Sequence, residues 1–451
     1  MKKLMLTLAV ATVSASVSAA DLYVSVETGK NKNAGTKEAP LKNLWKALEQ
    51  AADGDTIHLA EGVYPGKMKQ NWFLVDKAVS ILGGYSKDFA ERQPLVHKTM
   101  FQALNENNDK KGNGQGVFTV KFPAQAPDGV NMTFDGLVFD EGFANSYHET
   151  KGKPEGFETG MWLQGPALNK ERDKFPSPNR SLIYSDTQNR ATGDLTIRNC
   201  AFVNSGDIAV SINWYKGKVT IANCVFCNNR MIGANVNGLA AIPKDRANPT
   251  RPAAGWKPEV EWEFAHNTVL FTWSRLNDLA DMGFGVRVNP GVRANVHDNV
   301  IGLNVLTGFD NTKGSGREKL TSLDNNVFFL NRESDVQMTV SPSIAKVRVD
   351  GFEDLEGTDG IESIEDNEDL KDPAVFKDRI NAKFLNAFLS MKYSESTKLD
   401  EGKCNGLRSI LGLPLQGTIT TTCDMFCNRY PLEDALKLFG AMDGKGAQNI
   451  K

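Results

Sequence analysis

A short phrase recurs along the middle of the chain: a strand-like run, a polar pair, then a second apolar run. It reads Thr133-Phe134-Asp135-Gly136-Leu137-Val138-Phe139, then Thr196-Ile197-Arg198-Asn199-Cys200-Ala201-Phe202, then Thr220-Ile221-Ala222-Asn223-Cys224-Val225-Phe226. Looser copies are Phe264-Ala265-His266-Asn267-Thr268-Val269, Val296-His297-Asp298-Asn299-Val300-Ile301 and Leu323-Asp324-Asn325-Asn326-Val327-Phe328. A β-rich repeat with a period in the twenties to low thirties and Asn at the bend predicts a parallel β-solenoid. Each strand buries one face only, so the rungs must stack to make a core. Asn suits the bend because it tolerates left-handed dihedrals and its amide can bond along the stack. Cys200, Cys224, Asn267, Asn299 and Asn326 are expected to form one column.

A second column alternates apolar and polar residues with period two, as a half-buried strand does. Its members are Gly160–Gln164, Ala209–Asn213, Gly233–Asn237 and Gly285–Asn289, with Gly308-Phe309-Asp310 as a fifth. Val210, Ile212, Ala234, Val236, Val286 and Val288 are expected inside. Trp162, Gln164, Ser211, Asn213, Asn235, Asn237, Arg287, Asn289 and Asp310 are expected outside.

The amino-terminal residues predict export. Lys2 and Lys3 precede the apolar run Leu4 to Val13, and Ser18-Ala19-Ala20 makes a small-residue cleavage site. No later stretch is apolar enough to span a membrane as a helix. The chain of 451 residues carries a formal net charge of −3, which argues against nucleic acid as a partner. Export permits disulfides among the six cysteines. Cys404, Cys423 and Cys427 could staple the tail, whereas Cys200, Cys224 and Cys227 sit in strand contexts that suit buried thiols.

The amino-terminal region carries a resemblance. Leu22-Tyr23-Val24-Ser25 leads through a Gly- and Asn-rich turn to Ala39-Pro40-Leu41 and a segment with Leu44, Trp45, Leu48 and Ala51 at helical spacing. Gly54-Asp55-Thr56-Ile57-His58-Leu59, Glu61-Gly62-Val63-Tyr64 and Ile81-Leu82-Gly83-Gly84-Tyr85-Ser86 follow. Together with the repeats, this order resembles secreted right-handed parallel β-helix proteins of the pectate-lyase-like superfamily over roughly residues 22 to 331. The resemblance implies an all-β solenoid whose amino-terminal helix caps an otherwise open end. It implies no particular chemistry. The Asn-x-Asp, Asp-Asp, Gly-His-Gly and Arg-Ile-Lys set of polygalacturonase-like hydrolases is missing, as is the Asn-Gly-x-Glu pattern of certain lyases. Fold alone does not supply function.

The expected organisation is a signal peptide at 1–20, a β-helix with its cap at 21–349, an acidic linker at 350–372 and a partly helical, Cys-containing region at 373–451. The acidic stretch holds eleven carboxylates and one lysine, a composition that suits a solvated linker. Beyond it, Phe376, Ile380, Phe384, Leu385, Phe388 and Leu389 fall at helical spacing. That region could cap the solenoid, dock on its side, or bind an envelope or surface protein.

Long insertions at 166–193 and 238–259 are expected to leave the second column at one corner. Those at 140–159 and 270–282 would precede it, so the outer face becomes a groove. Amides on its floor match sugar hydroxyls in offering donor and acceptor. Trp162 and Trp214 would stack on sugar faces, with Tyr215, Trp256 and Trp273 as further candidates. Extracellular polysaccharide is therefore the expected partner, bound by Trp162, Gln164, Asn213, Trp214, Asn235, Asn237 and Asn289. If the protein is a lyase on uronic-acid glycans, Arg287 would face the carboxylate and Lys216, Lys218 or Arg230 would be the base. Asp310 and Asp281 are the candidate ligands for Ca2+. His266 and His297 lie at corners and are expected to be structural. The alternative is a non-catalytic cell-surface or envelope protein with a structural or adhesive role.

Overall fold

The computed structural model describes residues 19–66, 71–102, 116–122, 129–141, 181–273, 283–311, 314, 316–340, 345–349, 352, 355–389, 401–415 and 429–450. The chain coils through three sheets of ten, nine and nine strands. Each turn of the coil adds one strand to each sheet. One turn runs from Gly193–Arg198 in the first sheet to Ala201–Val203 in the second and Val210–Trp214 in the third. The next repeats this with Gly217–Ala222, Val225–Cys227 and Ile232–Gly238. Pairing is parallel throughout, except that Ser334–Val340 and Ala345–Val349 close the third sheet as an antiparallel pair. This is the parallel β-helix expected from the repeats.

The phrases fall between the first and second sheets. Their final apolar residues point inward, and Phe101, Phe139, Phe202 and Phe226 stack there with ring centroids 5.0, 5.3 and 4.9 Å apart. The corner has a division of labour. The residue before each column position is the left-handed one: Asn199, Asn223, His266, Asp298 and Asn325 have φ of 53–57°. The column residue carries the ladder. Asn299 accepts from the Asn267 N–H at 2.8 Å and donates to Phe264 O at 2.8 Å and to Asn326 Oδ1 at 2.9 Å. Cys224 joins through its N–H to Asn267 Oδ1. A second ladder, unread in the sequence, stands at the next corner, where Asn304 links Thr272 to Asn331.

The amino-terminal helix Leu44–Gln50 buries Leu44, Ala47 and Leu48 in the main core. The acidic stretch is not only a linker. Ile361–Ser363 pairs with the first sheet and Glu368–Asp369 with the second. Parallel pairing needs backbone rather than apolar side chains, so a charged segment can add the last partial turn.

The carboxy-terminal region docks on the side of the coil. Phe376, Phe384, Leu385, Phe388, Leu389 and Tyr430 share a buried cluster with Val203, Val225, Leu270, Phe271 and Val300. Asn204 exchanges hydrogen bonds with the backbone of Tyr430 at 2.8 and 3.0 Å. Residues 446–448 cross the corner: the Gly446 N–H donates to Asp298 O, the Ala447 N–H to Thr268 Oγ1 and the Gln448 N–H to Asn223 Oδ1. Cys200, Cys224 and Cys227 are buried thiols, and burial pushes those of Cys224 and Cys227 well up. Cys423 and Cys427 lie outside the described residues.

Candidate functional site

Period two fixes the outer face of the third sheet. Val210, Ile212, Ala234, Val236, Val286 and Val288 enter the core as expected. The residues between them form a ladder in register from Leu74 through Thr119, Tyr184, Ser211, Asn235, Arg287 and Asp310 to Gln337. Seven strand spacings make this floor roughly 34 Å long. Its character changes along that length. Leu74 is exposed, while Trp72, Tyr184, Ser211 and Asn235 are half-buried. Trp72 leans on the ladder through a 3.2 Å hydrogen bond from Nε1 to Thr119 Oγ1. Burial, and then the Asp186 carboxylate, push the Tyr184 phenol above its ordinary pKa.

At the other end the ladder is polar and buried. Arg287 is 8% exposed and Asp310 0%. Arg287 Nε donates to Asp310 Oδ2, and Gln337 Nε2 donates to Asp310 Oδ1 at 3.1 Å. The guanidinium lies 4.1 Å from the centroid of the Phe284 ring, a cation–π contact that desolvation strengthens.

A second outward row runs beside the first. Asn237 Nδ2 donates to Asn213 Oδ1 at 3.2 Å, and Asn213 Nδ2 donates to Ser185 O at 2.6 Å. Asn289 follows directly after the next strand, Phe284–Val288, and is 2% exposed. The amide oxygens of Asn235 and Asn289 are buried and accept no hydrogen bond. Such an orphaned acceptor costs about 1–3 kcal/mol.

One described wall rises where residues 239–259 leave the third sheet. Lys244 pairs with Pro252 in an antiparallel bridge and makes a 3.3 Å ion pair with Glu318.

Several expected site residues fall elsewhere. The strand of the 140–193 turn that joins the column is Ser181–Ser185, paired through Ile183 with Val210 and Tyr184 with Ser211. Tyr184 therefore holds the place assigned to Trp162, and the long insertion precedes the strand instead of following it. Gly160–Gln164, with Trp162 and Gln164, lies outside the described residues, as does Asp281. Trp214 is fully buried and donates from Nε1 to Gly193 O at 2.9 Å. It shares the parity of Val210 and Ile212, so the strand turns it inward. Trp273 is also fully buried.

Arg287 has no lysine partner from the expected pair. Lys216 sits in the turn to the first sheet, 3.4 Å from Glu259. Lys218 belongs to the first sheet, beside Glu261 in register and 3.6 Å from Glu263. Asp310 serves Arg287, and among the described residues no group of three His, Cys, Asp or Glu could hold a metal ion. His266 and His297 stand at the corner as expected. His297 bridges Glu263 and Asp298, and its pKa rises to about 9.

Trp72, Tyr184 and Gln337 are floor residues the sequence reading passed over. A signal existed in the first two, since Trp72-Phe73-Leu74-Val75 and Ser181-Leu182-Ile183-Tyr184 are short strand-like runs. It lay outside the clearest repeats.

A family described as "Protein of unknown function (DUF1565)" matches residues 27–88. No curated protein matches the sequence. Among solved structures, a lacto-N-biosidase from Eubacterium ramulus is similar at 12% identity and a TM-score of 0.40, over 70% of this chain. The chain spans only 57% of that protein's length. Pectate lyase Pel9A is similar at 14% identity and a TM-score of 0.36, over 79% of this chain and 80% of its own. A rhamnogalacturonan lyase is similar at 12% identity and 0.34, over 72% and 77%. The fold assignment rests on the coil itself, whose three sheets make it a parallel β-helix.

Proposed function

We propose that this is an exported protein that binds extracellular polysaccharide along the outer face of the third sheet. The observation that carries the reading is the outward ladder of the third sheet, whose accessible part runs from Leu74 through Tyr184 and Ser211 to Asn235, with the partly exposed Asn237 amide beside it. An extended polymer suits a straight floor of this length. Trp72 and Tyr184 offer half-buried rings for sugar faces, and Ser211, Asn213, Asn235 and Asn237 offer hydroxyl and amide groups. Export rests on the amino-terminal signal, with Asp21 opening the first strand just after the expected cleavage site.

Cleavage by β-elimination is the catalytic version of this reading. It would need Arg287 to leave Asp310 and a base to reach the third sheet, and Lys216 and Lys218 are paired elsewhere. The geometry therefore favours binding. The adhesive alternative through the tail finds less support, because Phe376, Phe384, Leu385, Phe388, Leu389 and Tyr430 are buried against the coil's own second sheet, which leaves Ile410 and Leu415 as the tail's exposed large apolar residues among those described.

The test is retention of the mature protein by immobilised polysaccharides, with ultraviolet detection of unsaturated uronide product, in calcium and in chelator. Retention without product is expected. Product that disappears in Arg287→Ala would restore the lyase, and calcium-dependent product would restore the metal. Retention by no polysaccharide would remove the reading.

A further inference from the structure

We propose that the leader is cut between Ala19 and Ala20, one residue before the bond the sequence singled out, and that Asp55 receives the ammonium group this cut creates. The inference rests on the export part of the reading above. The small-residue pattern alone permits either bond, since Val17 and Ala19 precede one as Ser18 and Ala20 precede the other. The fold distinguishes them. Its hydrogen bonding begins at Ala20, whose N–H donates to Asp55 Oδ1 at 2.8 Å and whose carbonyl accepts from the Thr56 N–H at 2.9 Å. Asp55 is 6% exposed, and its other oxygen accepts from the Ala52 N–H at 2.8 Å, just past the amino-terminal helix. Both of these donors are neutral amides, a thin set of partners for a carboxylate so far from water.

A peptidase that hydrolyses the Ala19–Ala20 bond adds the elements of water, leaving a carboxylate on Ala19 and an amine on Ala20 that takes up a proton. The new ammonium stands at hydrogen-bond distance from Asp55 Oδ1 and replaces a neutral donor by a charged one. The neighbouring cuts do worse. A cut after Ala20 removes both groups of that residue. Asp55 Oδ1 then loses its donor, and the Thr56 N–H faces the Asp21 ammonium, donor against donor. The Asp21 side chain does not compensate, because it turns to His58 Nε2 at 2.8 Å. A cut after Ser18 leaves the Ala20 nitrogen a neutral amide. Ala19 and Ala20 are exposed, so nothing crowds a terminus at this point. Processing thus tightens a junction at which Asp55 joins the first strand, the helix exit and, through its own carbonyl, the Ser80 N–H.

The full chain, leader included, is expressed in a secreting bacterial host, and the exported protein is read by intact mass and amino-terminal sequencing. Ala20 is the expected first residue. Asp21 or Ala19 in its place overturns the assignment and leaves export standing. A chain kept inside the cell with its leader uncut overturns both. The part played by Asp55 is read separately, by urea unfolding of mature chains that begin at Ala20 or at Ala19. The Ala20 form should have a folding equilibrium constant about fivefold higher. Acetylation of its terminal amine should remove that advantage, and so should Asp55→Asn. Equal stability of the Ala20, Ala19 and acetylated forms would overturn the role given to Asp55.

Discussion

Arg287 and Asp310 stand side by side in register on the third sheet, joined through Arg287 Nε, with side chains 10% and 0% exposed. Two charges this far from water need each other. Removing one strands the other at a cost of several kcal/mol, whereas removing both can be nearly neutral. Asp310→Ala should therefore lower stability by about 3 kcal/mol. Arg287→Met with Asp310→Leu should recover most of that loss. Urea unfolding of the three variants against wild type would measure both. Equal losses in the single and double variants would show that the pair is not energetically coupled.

Asn299 is the central link of the first ladder. Its side chain meets Asn267, Phe264 O and Asn326 while fully buried. Asn299→Ala leaves several buried groups without partners, each costing about 1–3 kcal/mol. A loss of about 3 kcal/mol or more in urea unfolding is expected. A loss below about 1 kcal/mol would mean that water replaces the ladder amide.

His297 gives the fold a pH signature. Its pKa lies at about 9, above the ordinary 6.5, chiefly through the hydrogen bond to Glu263; burial opposes this and Asp298 adds to it. Glu263 is correspondingly held below the ordinary carboxylate range, first by its hydrogen bond with His297. His266 and Lys445 also face Asp298. The folded pKa is the higher one, so this stabilisation is complete below the unfolded value. It fades as pH rises from there through about 9. The stability difference between wild type and His297→Gln should thus be largest near the lower end of that window and shrink toward alkaline pH. A difference that stays constant would place the charge elsewhere.

The tail covers an apolar face of the second sheet. Deleting residues 373–451 would uncover Val203, Val225, Leu270, Phe271 and Leu303 together. A contiguous patch of that kind promotes association. The shortened protein should bind a hydrophobic dye and sediment as aggregates. A monomeric, dye-silent product would mean that the tail is not needed to shield the coil.

The corner phrases were legible because their chemistry is forced. A two-residue bend between stacked strands needs a left-handed residue and a side chain that bonds along the stack, and few residues do either. Asn199 and Asn223 do the first, while Asn267, Asn299 and Asn326 do the second. The column of Ser211, Asn235, Arg287 and Asp310 was legible from period two. That Arg287 and Asp310 are partners follows only from the register of their strands, since neither residue type by itself excludes a separate role. Trp214 was misplaced for the opposite reason: its parity with Ile212 already pointed it inward. In the turn before Gly193, Gly160–Gln164 and Ser181–Ser185 are both strand-like, and only pairing distinguishes them. The strands at Ile361–Ser363 and Glu368–Asp369 were hidden by their charges, since backbone pairing leaves no mark in composition.

The central claim is that the outer face of the third sheet is the polysaccharide surface, and comparing two faces of the same coil tests it most directly. Tyr184→Ala and Asn235→Leu alter the third sheet, and Thr220→Leu alters the first sheet at a half-buried position. Affinity for a retained polysaccharide should fall at least tenfold in each third-sheet variant and stay unchanged in Thr220→Leu, with all three natively folded. Unchanged affinity in the third-sheet variants, or an equal fall in Thr220→Leu, would contradict the account.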